Sequence, residues 1–322
     1  MMRVSMADVA ERAGVSAQTV SRVANGSPRV DPATRARVEK AMADLGYRMH
    51  RAARALRTGQ TSTIGLVVST LASVGNSRML QAISEAAAAR DYALAVVTVG
   101  ERGIREAFAR LRSQGVDGAV VLNEATELAR DAQPPADLHL VVVDSPADPR
   151  FSIVQTDHAA GARAATTHLL ALGCGTVHHL AGPAGSFAAV ERERGWRAAL
   201  ADAGVAAPEP VRGDWTSASG YRAARALVGA SAVFVANDQM ALGALRAFAD
   251  AGRRVPDDVA VVGFDDIVDA AEYRPPLTTV RQDFDALGRR AVAALIAAIE
   301  GGDAVAETVP AALVVRASSA AI

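Results

Sequence analysis

The sequence predicts an α/β protein in which a small helical head precedes two doubly wound parallel sheets. Three observations favour this fold class. The first 60 residues carry 11 Lys and Arg against 5 Asp and Glu, whereas the other 262 residues have seven more acidic than basic side chains. From Thr63 onward, β-rich apolar runs alternate with amphipathic helical patterns, which is typical of βαβ units. This series divides near residues 153–158 into two similar halves, so we expect two lobes.

The head begins with two short helices. In "MADVAERAGV" the apolar residues recur at helical spacing, and Gly14 ends the helix. Ser16 is a good N-cap for a second helix over residues 17–24. Two short helices joined by a turn that contains glycine form a helix-turn-helix.

A third helix completes the head. In "VDPATRARVEKAMADLGY", Asp31 is the predicted N-cap, Pro32 occupies the first helical position and Gly46 ends the helix. Its apolar side, with Val38, Met42 and Leu45, is expected to close a three-helix core.

The second helix presents a polar surface. Its inner face is formed by Val20 and Val23, so the polar side chains of "VSAQTVSRVANG" point outward. Glutamine can pair with the adenine edge and arginine with guanine, whereas serine, threonine and asparagine suit phosphates. A merely solvated face is the alternative, and the basic charge of the first 60 residues argues against it. We therefore expect DNA contacts from Ser16, Ala17, Gln18, Thr19, Ser21, Arg22, Asn25 and Arg29.

The stretch "HRAARALRTGQ", residues 50–60, is predicted to be a short hinge helix. Arginines recur every third residue from Arg51, with Ala53 and Leu56 beside them. An isolated helix of this length is unstable in water, so it should form only against DNA and a second copy of the chain. An exposed leucine between arginines resembles the apolar wedges of minor-groove proteins. Arg51, Ala53 and Leu56 are therefore further predicted DNA contacts, and a plain flexible linker remains the alternative.

Several function classes are disfavoured. The single Cys174 forbids an internal disulfide, no apolar run reaches 18 residues, and the N-terminus lacks the apolar core of a signal peptide, so a cytoplasmic protein is expected. Nucleotide-binding, nucleophile-elbow and zinc-protease motifs are absent from the sequence, so neither an enzyme nor a cofactor is expected. The neighbouring His178 and His179 would point to opposite faces of a strand, which disfavours a metal site. His158 and His168 are expected to be ordinary surface or capping groups.

Polar residues follow several predicted strands of the body. Ser69, Asp144, Asn237 and Asp265 each end an apolar run. Ligands of open α/β sheets bind beyond the carboxyl ends of the strands, so these side chains predict a binding cleft. Carboxylates and amides suit the hydroxyls of a sugar. Asp238 could instead simply cap the helix that follows it.

The motifs together resemble a known family. "MADVAERAGVSAQTVSRVANG", "TRARVEKAMADLGY" and "RAARALRTGQTSTIGLV" are similar to the head of the lactose/galactose repressor family, and "HLLALG", "LAGP", "VANDQMALGAL", "VAVVGFDD" and "PPLTTVRQDF" extend the resemblance over nearly the whole chain. The resemblance implies a two-lobed core like that of periplasmic sugar-binding proteins. It also implies a repressor that binds a pseudo-palindromic operator as a dimer and is released by a sugar. The implied domains are a DNA-binding head (1–49), a hinge (50–60) and an effector-binding and dimerisation core (61–322).

The resemblance also implies the residues of the sugar site. A galactoside inducer would contact Ser69, Arg192, Trp215, Asn237, Asp265, Gln282 and Phe284, with Arg102 and Asp144 nearby. Trp215 could alternatively belong to the core. The chain departs from the family in "STLASVGNS", where Ser73, Gly75 and Asn76 replace bulkier apolar groups, and at Thr156, where phenylalanine is expected. The residues expected to contact the galactosyl group are all present, so a galactoside is favoured. The identity of its second substituent, the aglycone, is not predicted.

Alternatives remain within and outside this class. The effector could be another sugar or a nucleoside, or it could act as a corepressor. A protein of a different class, a sugar-binding protein whose head does not bind DNA, would share the body. Tetramers of the family use a leucine heptad tail, whereas the given chain stops at "VVRASSAAI", so a dimer is expected.

Overall fold

The computed structural model describes residues 4–24, 27–47, 60–132, 135 and 137–319. Residues 1–62 and 63–322 form two separate compact units. Within the described residues, no helix combines the length and the apolar character that crossing a membrane requires.

The first unit is the expected three-helix head. Its helices are α1 (Met6–Ala13), α2 (Ala17–Ala24) and α3 (Pro32–Leu45). Val9, Val20 and Val38 are fully buried at its centre. The predicted ends are confirmed: the Thr19 N–H donates to the Ser16 hydroxyl at 3.2 Å, and the Thr34 N–H donates to the Asp31 carboxylate at 2.9 Å.

The second unit contains two six-stranded sheets, one in each lobe. The first sheet has the order β11-β5-β4-β3-β1-β2, and all its neighbouring strands are parallel. Its strands are β1 (Thr63–Val68), β2 (Ala93–Thr98), β3 (Gly118–Leu122), β4 (His139–Val143), β5 (Ser152–Thr156) and β11 (Ala306–Val309). The helices that cover it are α4 (Val74–Ala88), α5 (Gly103–Ser113), α6 (Glu124–Asp131) and α11 (Phe284–Ile299).

The second sheet has the order β12-β10-β9-β8-β6-β7, and only β12 runs antiparallel to its neighbour. Its strands are β6 (His178–Ala181), β7 (Val211–Arg212), β8 (Ala232–Val235), β9 (Ala260–Asp265), β10 (Thr278–Arg281) and β12 (Ala312–Val314). The helices that cover it are α7 (His158–Ala171), α8 (Phe187–Asp202), α9 (Ser217–Ala224) and α10 (Asp238–Asp250), and short 3₁₀ turns follow α9 and β9.

The chain crosses between the lobes three times. It leaves the first lobe after β5, returns after β10 to form α11 and β11, and crosses again to form β12. The division expected near residues 153–158 therefore coincides with the end of β5. The crossings bring the ends of β5 and β10, which are far apart in sequence, into contact through Thr156 and Gln282.

Candidate functional site

A cleft lies between the lobes at the carboxyl ends of their strands. Most of the residues expected to bind a sugar line it: Asp144, Arg192, Trp215, Asn237, Asp265, Gln282 and Phe284. The structure thus brings together a side chain of α8, one at the end of β9 and others in the segments that follow strands.

Two expected residues are not among those that line this cleft. Ser69 follows β1 and is half-buried, and the chain after it carries Ser73 and Gly75 to the cleft instead. Arg102 lies at the start of α5, beyond the edge strand β2, and its guanidinium is 3.5 Å from the Glu106 carboxylate. Because β2 is the outermost strand, residues that follow it lie far from the centre of the sheet.

Arg192 is a buried cation at the centre of the site, 4% exposed. Its Nε donates to Nδ1 of His158 at 3.3 Å, and its Nη1 donates to the Ala236 carbonyl. Its Nη2 lies 3.5 Å from Oδ1 of Asp265, and its guanidinium lies over the Phe264 ring, 3.8 Å from the centroid. Burial lowers the pKa of Arg192, and the charge of the neighbouring carboxylates opposes that effect.

Asp144 pairs with His158. The Asp144 Oδ1 lies 2.9 Å from Nε2 of His158 and accepts the Thr156 N–H at 3.2 Å. Burial alone would raise the pKa of Asp144, but the contact with His158 and the Thr156 N–H hold it below its usual value. His158 is 1% exposed, so the expectation of a surface or capping group is wrong. The cap of α7 is Asp157, whose carboxylate accepts the Ala160 N–H at 3.0 Å, and this turns His158 inward.

Asp265 and Gln282 form a second buried pair. Gln282 donates its Nε2–H to Oδ1 of Asp265 at 2.7 Å, and its Oε1 accepts the Thr156 hydroxyl at 2.8 Å. Burial raises the pKa of Asp265, while Arg192 and Gln282 act against that rise. Gln282 and Arg192 therefore hold the Asp265 carboxylate in place and favour its charged form.

Asn237, and not Asp238, caps α10. The Asn237 Oδ1 accepts the Met240 N–H at 3.0 Å, and its Nδ2 donates to the Trp215 carbonyl at 3.1 Å. Asp238 is fully buried and accepts the Thr279 hydroxyl at 2.6 Å and the Ile267 N–H at 3.0 Å. Burial and the charge of Asp265 raise the pKa of Asp238 well above its usual range.

Trp215 is half-buried and lines the cleft, so it is not an ordinary core residue. Its ring packs on Gly182, where an added Cβ would lie 2.6 Å from the indole Cζ2. Its indole N–H is buried and has no hydrogen-bond partner among the described residues. A ligand oxygen is the kind of partner that such a donor lacks.

The backbone of the cleft is strained. Asn123, Asp144, Trp215 and Asp265 have positive φ angles of 47°, 58°, 74° and 120°. Non-glycine residues in such regions cost about 1–3 kcal/mol each and cluster at functional sites. Asn123 also lines the cleft, although it is not among the residues predicted from the sequence. Its position directly after β3 was the signal that could have found it.

The head exposes several of the side chains expected to contact DNA. Ala17, Gln18, Arg22 and Arg29 are exposed, and Thr19 and Ser21 are half-buried. The Ser16 hydroxyl is exposed as well as engaged in the cap of α2. The remaining expected contacts lie outside the described residues: Asn25, Arg51, Ala53 and Leu56.

Comparison with known proteins identifies relatives of both units. The family "Bacterial regulatory proteins, lacI family" matches residues 5–49, and "Periplasmic binding protein-like domain" matches residues 166–319. The lactose operon repressor of Escherichia coli (strain K12) is 38% identical over 314 residues, 94% of this chain and 86% of the relative. The transcriptional regulator CelR of Thermobifida fusca is 38% identical over 320 residues, 93% of each chain. The ribose operon repressor of Escherichia coli (strain K12) is 34% identical over 91% of this chain and 92% of its own length.

Solved structures agree with this assignment. A lac repressor dimer bound to operator and the anti-inducer ONPF has a TM-score of 0.87 at 35% identity, with 99% of this chain and 100% of that chain covered. A CelR–cellobiose complex has a TM-score of 0.74 at 34% identity, with 98% and 100% covered. These relatives are regulators and not enzymes. The chain therefore belongs to the lacI family of bacterial regulatory proteins and is a DNA-binding transcriptional repressor.

Proposed function

We propose that this repressor acts in the cytoplasm as a homodimer on a pseudo-palindromic operator and is released by a neutral sugar, a galactoside in first place. The observation that carries the proposal is the composition of the cleft. Two buried carboxylates, three amides and a guanidinium converge there beside an indole whose N–H has no partner among the described residues. Polar groups of this kind bind hydroxyls, and an aromatic face binds the C–H side of a sugar ring.

The charge of the cleft favours a neutral ligand. Asp144 and Asp265 face it, whereas Arg192 is already engaged by Asp265, His158 and a carbonyl. A phosphate group would meet two carboxylates at short range with no uncommitted cation among these residues, which is unfavourable at low local dielectric. Sugar phosphates are therefore poor candidates.

The galactoside is proposed from the family resemblance, which pairs Arg192, Trp215, Asn237, Asp265 and Gln282 with galactosyl contacts. A second candidate is a β-glucoside, because the similar CelR has been solved with cellobiose. Ser73 and Gly75, which stand where the family has bulkier apolar groups, line the cleft, and an added Cβ at Gly75 would be in van der Waals contact with the Phe284 ring at 3.9 Å.

DNA recognition is assigned to the head. Gln18 and Arg22, both exposed on α2, are proposed to read base edges, while Ser16, Thr19, Ser21 and Asn25 bind phosphates and Arg29 adds charge. The hinge of residues 50–60, with Arg51, Ala53 and the Leu56 wedge, is proposed to join the head (1–49) to the core (61–322).

The first lobe offers a surface for a second copy of the chain. β2 is an edge strand, and its Val96 is 40% exposed. Leu94 of the same strand and Leu80 of α4 line a shallow groove with it. An apolar edge strand is a site of association with another chain.

The release mechanism follows from linkage. A sugar that contacts Asp144 on the first lobe and Arg192 and Asp265 on the second favours one lobe arrangement. If that arrangement separates the two hinges, the heads leave the operator. Sugar shifts this equilibrium only by its differential affinity, and DNA weakens sugar binding by the same factor.

The test is operator binding titrated with sugars. A DNA site selected from a random library by the purified protein is labelled, and its fluorescence anisotropy is followed with methyl β-galactoside, cellobiose, ribose and galactose 6-phosphate. We expect a neutral glycoside to release the DNA. Galactose 6-phosphate should have no effect on DNA binding. Asp265→Ala should still bind the DNA and lose the response. Tighter DNA binding with sugar would reverse the mechanism to that of a corepressor.

A further inference from the structure

Thr156 connects the two segments of chain that cross between the lobes. It ends β5 at the first crossing and is 2% exposed, and Gln282 follows β10 at the second crossing and is 8% exposed. The Thr156 hydroxyl donates to Oε1 of Gln282 at 2.8 Å, across 126 positions of sequence.

This hydrogen bond and the Asp265 carboxylate together hold the Gln282 amide in one orientation. The amide lies between the Thr156 hydroxyl and the Asp265 carboxylate, and it donates to Oδ1 of Asp265 at 2.7 Å. An ionised carboxylate only accepts hydrogen bonds, so the NH₂ group must face Asp265 and the carbonyl oxygen must face the hydroxyl. The reversed amide would direct one oxygen at another.

Thr156 is connected by hydrogen bonds to both carboxylates of the cleft, Asp265 and Asp144. Through Gln282, Thr156 reaches Asp265, which also lies 3.5 Å from Arg192. Through its own N–H, Thr156 donates to Asp144 at 3.2 Å. Both Gln282 and Arg192 contact Oδ1 of Asp265, whereas Oδ2 accepts no hydrogen bond from the described residues. Oδ2 is therefore the oxygen available to a ligand hydroxyl.

We propose that Thr156 is a positioning residue of the effector site, whose hydroxyl orients Gln282 so that Asp265 presents Oδ2 to a hydroxyl of the bound sugar. The use by a sugar rests on the proposed function, whereas the orientation of Gln282 and Asp265 does not. Without the hydroxyl, the Gln282 oxygen has lost its donor and the amide can rotate away from Asp265.

The experiment compares four full-length proteins: wild type, Thr156→Val, Thr156→Ser and Thr166→Val. Valine is nearly isosteric with threonine, and serine restores the hydroxyl. Thr166 is the matched control because it is also buried and its hydroxyl donates to the Ala162 carbonyl at 2.8 Å, within α7. Each protein is measured by calorimetry with methyl β-galactoside and, without sugar, by ¹³C NMR titration of the aspartate carboxyls.

In Thr156→Val, we expect the sugar dissociation constant to rise about fivefold or more, the usual effect of one lost hydrogen bond. We also expect Asp265 to titrate at higher pH, since it loses the donor that stabilises its charged form. Thr156→Ser should restore both values, and Thr166→Val should lower the melting temperature and change neither.

Two failures can be told apart. An Asp265 titration that is unchanged in Thr156→Val overturns the positioning role, and so does a sugar affinity that falls equally in Thr166→Val. A wild type that binds no sugar overturns the proposed function, while the carboxyl titration still decides whether Thr156 orients Gln282 and Asp265.

Discussion

The buried His179 should make the stability of the protein fall on acidification. Its ring stacks on Phe234 at 4.8 Å and lies 5.2 Å from the Trp196 ring. Nδ1 lies 2.9 Å from the Phe234 carbonyl and donates to it, whereas Nε2 is buried without a partner among the described residues. Burial lowers the pKa of His179 from 6.5 to about 4. Protonation would place a charge on Nε2 with no acceptor to receive the proton.

The sign and size follow from linkage. The unfolded chain takes up a proton as the pH falls through 6.5, and the folded protein does so only near pH 4. The unfolded state therefore binds more protons in this window, and the free energy of unfolding decreases as the pH falls. The full effect is about 3 kcal/mol, of which about 2 kcal/mol is lost between pH 7 and pH 5.

Two carboxyl groups act in the opposite direction. The raised pKa values of Asp238 and Asp265 let the folded protein keep protons that the unfolded chain has released, so their contribution to stability grows as the pH falls. The effect of His179 is therefore measured as a difference between wild type and His179→Phe.

Urea unfolding at pH 7 and pH 5 provides the measurement. His179→Phe cannot titrate, so the wild type should lose about 2 kcal/mol more than the variant between the two pH values. The slope of the unfolding free energy against urea concentration should be the same for both proteins if the native state stays compact. Equal losses in the two proteins would refute the reasoning, because His179 would then not be the group that resists protonation.

Three further predictions concern function. Arg22→Ala should reduce the discrimination between the selected site and random DNA by about 1–3 kcal/mol in anisotropy titrations; an equal loss on both DNAs would contradict base reading. Val96→Glu places a charge on the apolar edge of β2, and light scattering should show a shift toward monomers with weaker operator binding; an intact dimer would exclude this edge as the interface. Gly182→Ala puts a Cβ 2.6 Å from Cζ2 of Trp215 and still closer to Cη2, and calorimetry should show weaker sugar binding, since the indole must move. Unchanged affinity would remove Trp215 from the site.

Local patterns were enough to predict the architecture. Gly14, Ser16 and Asp31 mark helix ends by their own backbone and side-chain chemistry, so the head could be read from short segments. The alternation of apolar runs and helices predicted two doubly wound sheets for the same reason, because each βαβ unit is specified by neighbouring residues. Polar residues at strand ends then indicated the cleft, and Asp144, Asn237 and Asp265 do line it.

The tertiary structure decided which of these groups contact one another. His158 was expected to be a surface group, yet the turn capped by Asp157 directs it at Asp144. Ser69 follows a strand as expected, and the resemblance placed Arg102 near the sugar, but the strand order and the path of the chain place other residues in the cleft. The pairing of Thr156 with Gln282 depends on two crossings of the chain. Sequence periodicity carries information about neighbours along the chain, whereas burial, charge pairing and amide orientation depend on partners that only the folded topology brings within a few ångströms.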